Sequence, residues 1–118
     1  MQVVKHIRKG ENIASKKARA EAKYISATRF KTRGDWQNAL QHFERAAEIF
    51  GEVYGESHIV TRETKAQALF CHGGLYKNQR DDHSAANYYE QSADLFAETI
   101  GEDHGFTLQA RREYESVS

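Results

Sequence analysis

The chain of 118 residues contains no proline. Proline removes a backbone donor and breaks helix interiors, so nothing of that kind interrupts long helices here. Cysteine occurs once, at Cys71, which excludes an internal disulfide and is compatible with a reducing compartment. No apolar run approaches the roughly 18 residues of a membrane span, and the N-terminal MQVVKHIRKG lacks the apolar stretch of a secretory signal. The expectation is an intracellular, cytoplasmic protein without membrane insertion. The acid-poor, basic start also resembles an organelle presequence, which makes an organelle matrix the alternative. His6, His42, His58, His72, His83 and His104 include no ligand pair on one helical face and no CxxC companion, so no metal or other cofactor is expected. A nucleophile elbow, a phosphate-cradling glycine loop and an isolated carboxylate pair in apolar surroundings are all missing, and the reading is non-enzymatic.

Lysine and arginine balance aspartate and glutamate over the whole chain, but not along it. Residues 1–33 carry ten basic side chains against Glu11 and Glu21, and residues 34–118 carry seven against fifteen, so the two parts are +8 and −8. Such a separation suits one end to an acidic surface or nucleic acid and the other to a basic surface, including a second copy of the chain.

What is present is a repeat. At an offset of 46 residues, Asp35, Ala39, Glu44, Ala47, Phe50, Glu52, Gly55, Glu56, His58 and Thr61 recur as Asp81, Ala85, Glu90, Ala93, Phe96, Glu98, Gly101, Glu102, His104 and Thr107. Repeats of this length are stacked units that bury apolar faces on one another. The first helix is predicted from Asn12 to Thr32, with Ala20, Tyr24, Ala27 and Phe30 on its apolar stripe. Gly34 ends it and Asp35 caps a second helix from Trp36 to about Tyr54. Ala39, Phe43, Ala46 or Ala47, and Phe50 form the ridge of that helix. A third helix is expected from about Val60 to Asn78. A fourth runs from His83 to Ile100, capped by Asp81 or Asp82, with Ala85, Tyr89, Ser92 or Ala93, and Phe96 as its ridge. A short fifth, from Phe106 to about Ser116, has Asp103 placed as its cap. Short connections make each A/B helix pair an antiparallel hairpin.

The matched positions carry a family resemblance. Small Ala27 and Gly73 are followed by aromatic Phe30 and Tyr76. A Gly34-Asp35-Trp36 turn is matched only by its acid in Arg80-Asp81-Asp82. Ala39, Phe43 and Ala46 are matched by Ala85, Tyr89 and Ser92. This pattern resembles the tetratricopeptide repeat, whose ordinary unit is about 34 residues. The longer unit, with Gly55-Glu56-Ser57-His58 and Gly101-Glu102-Asp103-His104, is similar to the long-helix subtype found in kinesin light chains. That subtype usually has proline after the histidine, where this chain has Ile59 and Gly105. The implied fold is all-α: a short solenoid of two stacked hairpins plus a capping helix. Residues 1–13 are read as a basic N-terminal extension, about 14–57 as the first repeat, 58–103 as the second and 104–116 as the cap.

The resemblance implies a protein-interaction scaffold or assembly subunit whose A helices receive a peptide or helix. The groove positions it gives are Glu21, Tyr24, Thr28 and Lys31 in the first unit, with Gln67, Phe70, Gly74 and Lys77 in the second. The family's lysine and asparagine clamp for a C-terminal carboxylate is absent, since Tyr24 and Thr28 stand at those places. Gly73 has a packing reason through Ala27, whereas Gly74 is read as facing the groove. Lys16, Lys17, Arg19 and Lys23 form a basic docking face, expected to be exposed. With Arg29, Lys31 and Arg33 they make RNA, in a ribonucleoprotein particle, the alternative partner. Phe106, Leu108 and Tyr114 on the unpaired last helix are the expected assembly contact, in a homo-oligomer or a larger complex.

Overall fold

A computed structural model describes residues 11–118. His6, most of the basic N-terminal extension and the presequence-like start lie outside the described residues. Five helices follow one another: α1 (Ile13–Thr32), α2 (Trp36–Tyr54), α3 (Ile59–Asn78), α4 (Asp82–Ile100) and α5 (Gly105–Val117). The close backbone approaches are mainly those between successive helices, so the described residues form a stack, extending 51 × 27 × 24 Å. The all-α expectation of two hairpins and a terminal helix is met.

Two kinds of connection alternate, and each follows from its sequence. From α1 to α2 the chain makes a Schellman turn: Gly34 takes φ 77°, and the Asp35 amide donates to the Phe30 carbonyl at 2.9 Å. Asp35 then caps α2 by accepting from the Asn38 amide at 3.2 Å. The α3–α4 turn repeats this geometry, with Asp81 accepting from the Ser84 amide at 3.1 Å. Here Arg80 occupies the left-handed position, at φ 61°.

The α2–α3 and α4–α5 connections turn on Gly55 and Gly101, at φ 100° and 102°, a region essentially restricted to glycine. Thr61 Oγ1 donates to the Gly55 carbonyl at 2.9 Å, and Thr107 Oγ1 to the Gly101 carbonyl at 2.7 Å. His58 Nδ1 accepts from the Val60 amide and His104 Nδ1 from the Phe106 amide, at 3.1 and 3.0 Å. The histidines are therefore helix caps. Asp103, expected to cap α5, does not do so, because the histidine beside it already holds the first-turn amide.

Within each hairpin the contact is made by small residues. Ala27 and Ala39 are fully buried between α1 and α2 beside Phe43. In the second hairpin Gly73 and Ala85 take those places, and a Cβ on Gly73 would come within 2.6 Å of the Tyr89 ring. Gly74 does not face an open groove: a Cβ there would lie 2.5 Å from the Trp36 ring, which packs edge-on against Phe70. The expected groove position is thus a packing position.

Candidate functional site: the helix A face

Side chains of α1, α3 and α5 make a continuous surface, and most of the predicted groove residues meet on it. Tyr24 is half-buried, with its ring edge-on to Phe43, centroids 5.3 Å apart. Its hydroxyl donates to Glu63 Oε2 at 2.7 Å. Gln67 Nε2 donates to the same carboxylate oxygen at 3.0 Å and to the Tyr24 hydroxyl at 3.3 Å. Lys31 Nζ donates to Gln67 Oε1 at 2.8 Å and lies 4.5 and 4.9 Å from the centroids of Phe70 and Phe106. Three A helices are joined in this way.

Burial governs the ionisation of the site. Desolvation, then the Glu63 charge, raises the Tyr24 pKa, so the phenol stays a neutral donor. Burial likewise lowers the Lys31 pKa. Nearby Cys71 is pushed up to about 12, chiefly by burial, and remains an inert thiol at neutral pH.

Beside the network is a cavity of about 370 Å³ lined by Glu21, Tyr24, Ile25, Phe50, Val60 and Glu63. Its floor is apolar and carboxylates stand at two sides. Of the predicted groove set, Glu21 and Tyr24 line this cavity, while Lys31 and Gln67 belong to the adjoining network. Thr28 is exposed and donates to the Tyr24 carbonyl at 3.0 Å. Lys77 pairs with Glu113 of α5 at 2.8 Å. Phe70 is a core residue between Trp36 and Tyr89, and Gly74 is covered by Trp36 as described. Glu63, the acceptor at the centre of the network, escaped sequence reasoning. The signal for it was its position four residues before Gln67, on the same helical face.

The basic face is smaller than expected. Lys16 is only 3% exposed, with its ammonium 2.6 Å from Glu52. Arg19 is engaged by both oxygens of Glu11 at 3.0 Å. Lys17 is exposed, 6.0 Å from the Tyr54 ring centroid, and Lys23 is half-buried. The reason is structural and repeats with the chain. Lys16–Glu52 is the counterpart of Arg62–Glu98 at 3.0 Å, and Lys65–Glu56 that of Arg111–Glu102 at 3.3 Å. Lys31–Gln67 and Lys77–Glu113 form a third matched pair. Two cations of α1, Lys16 and Lys31, are therefore engaged in holding helices in register.

At the other end α5 lies against α4. Phe106 packs on Phe96, centroids 5.5 Å apart, and Tyr114 joins the same cluster. Of the three residues named as an assembly contact, only Leu108, at 44%, is largely exposed.

Among the described residues, an all-helical stack of hairpins with a continuous face formed by every second helix defines a helical-repeat fold. Residues 27–59 match the family described as Tetratricopeptide repeat, so that part of the chain carries a repeat of this type. Comparison with curated proteins and with solved structures gave no match. Repeats of this family generally mediate protein–protein interaction and are non-enzymatic. Among the described residues no helix is long and apolar enough to cross a membrane.

Proposed function

We propose that this chain is a scaffold or assembly subunit that binds a peptide or helix of a protein partner across the α1–α3–α5 face. The observation that carries the reading is the cavity at Tyr24 and Val60 with Glu21 and Glu63 beside it. An apolar floor of that size takes one large side chain, and the neighbouring carboxylates favour a cation next to it in the partner. The linked side chains of Tyr24, Glu63, Gln67 and Lys31 are already ordered, which lowers the entropic cost of receiving a ligand. Lys16 and Arg19, engaged within the chain, are not available to phosphates, which favours a protein partner over RNA.

The test is selection of peptides on the intact protein from a displayed library, followed by titration against Glu21→Lys. Glu21 is exposed, so the fold tolerates the change. Selected peptides should contain an apolar residue beside lysine or arginine and lose affinity for the variant. Peptides that bind the variant unchanged would place the receptor surface elsewhere.

A further inference from the structure

A second groove lies on the opposite side of α3, half a turn round the helix from Glu63 and Gln67. Its volume is about 480 Å³, with a floor of Ala47, Ala68, Leu69 and Leu95, a wall on α2 formed by Glu44 and Glu48, and Lys65 and His72 on α3. Lys65 is paired with Glu56, Glu48 with Arg45 on its own helix, and Glu44 lies 3.5 Å from His72, and such exposed pairs exchange partners at little cost. The groove is open because position 68 is alanine. One unit later the matching residue is Tyr114, whose ring packs against the core cluster of α3 and α4.

The outer face of α1 is the complementary surface. Ala14, Ala18, Ala22 and Ile25 are exposed along it, Ile25 at 53%. Their counterparts in α3 are buried or partly buried: Ala68 and Cys71 pack with Leu40 and Phe43, and Val60 with Ile49 and Phe50. In the second unit, then, this face of an A helix is a helix-packing surface. On α1 it is bordered by Lys17 and Arg29, three residues after Ala14 and four after Ile25.

We propose that the groove between α2 and α4 receives the outer face of α1 from a second copy of this chain. Ile25 supplies the apolar anchor to the alanine and leucine floor, and the cations beside it meet the α2 carboxylates. The separation of charge into +8 and −8 parts of the sequence favours that pairing over a like-with-like contact of two α1 helices. The contact joins two different surfaces, so every copy carries one of each. Ile25 also borders the cavity beside Tyr24, so the contact would compete with a peptide there. Glu44→Lys with Glu48→Lys lies away from that cavity and should abolish association while leaving peptide binding intact, which tells the two apart.

Sedimentation of the full chain tests this. The mass should rise with concentration from micromolar to millimolar and fall back towards the single chain at high salt, because the contact is charge-assisted. Ile25→Asp removes the anchor, and Glu44→Lys with Glu48→Lys reverses the wall. These positions are exposed, and circular dichroism should show unchanged helicity. Each variant alone should stay a single chain where the native protein associates. Mixed, the two should form a pair of chains and nothing larger, since one supplies an intact groove and the other an intact helix face. A native protein that is a single chain throughout, association that survives either change, or mixed variants that stay single would overturn the proposal.

Discussion

Arg80 is the residue at which the second unit departs most plainly from the first. It holds a left-handed conformation at the place where Gly34 closes α1. A side chain there costs on the order of 1 kcal/mol, so Arg80→Gly should stabilise the protein by about that amount, while Gly34→Ala should destabilise it comparably; urea melts read both. Gly74 shows the converse limit of reading by alignment. Its counterpart is Thr28, which gives no packing reason, because the ring that covers Gly74 belongs to Trp36 and the matching position in the second unit is Asp82. Gly73 was legible since both its counterpart, Ala27, and its cause, an aromatic on the facing helix, repeat. Gly74→Ala drives a methyl into the Trp36 ring and should cost roughly 1–3 kcal/mol. Titration at single residues sets the pH range of the fold. Asp35 is held below the usual carboxylate range by hydrogen bonds from the Asn38 side chain and amide, and Asp81 by the Ser84 amide and side chain. Both contributions are present above the unfolded value of about 4 and vanish as pH falls through the lower folded values. Tyr24 and Tyr89, raised chiefly by burial, contribute stability that is full below about pH 10 and is lost as pH rises through their folded values. The urea midpoint measured against pH should therefore decline at both extremes.

At the scale of elements, the five helices were legible within a residue or two because caps, glycines and apolar spacing agree. The exception is informative. Asp103 looked like the cap of α5, yet His104 is, because the Gly101 turn brings the histidine ring onto the Phe106 amide just as the Gly55 turn brings His58 onto Val60. Histidine is an uncommon cap, and only its recurrence in two turns pointed to a backbone role. Replacing either histidine by alanine should cost about 1 kcal/mol, and asparagine should recover most of it. Thermal melts of the four variants measure this; equal losses for alanine and asparagine would mean that the ring acts through packing alone. The basic character of α1 was also legible, but not its use. Charge composition does not reveal which cations face another helix. Lys16 and Arg62 lie 46 residues apart, as Glu52 and Glu98 do, and that double match was the available signal.

Over the whole molecule the repeat extends from the core to the ion pairs, which makes equivalent residues interchangeable in role. Ala39 and Ala85 are both fully buried at helix crossings, so leucine at either should overpack the contact and destabilise by roughly 1–3 kcal/mol. The candidate site was legible to the extent that family alignment places A-helix residues on one face. It could not show which of them sink into the core, as Phe70 does, nor that Lys31 folds over two rings instead of projecting into solvent. Those outcomes depend on neighbours brought in from other helices. The proposed receptor surface is the α1–α3–α5 face. It is tested most directly by following backbone amide resonances while a library-selected peptide is added to the intact protein. Shifts should concentrate at Glu21, Tyr24, Lys31, Glu63 and Gln67; shifts confined to α2 and α4, with those five unmoved, would place the receptor surface elsewhere.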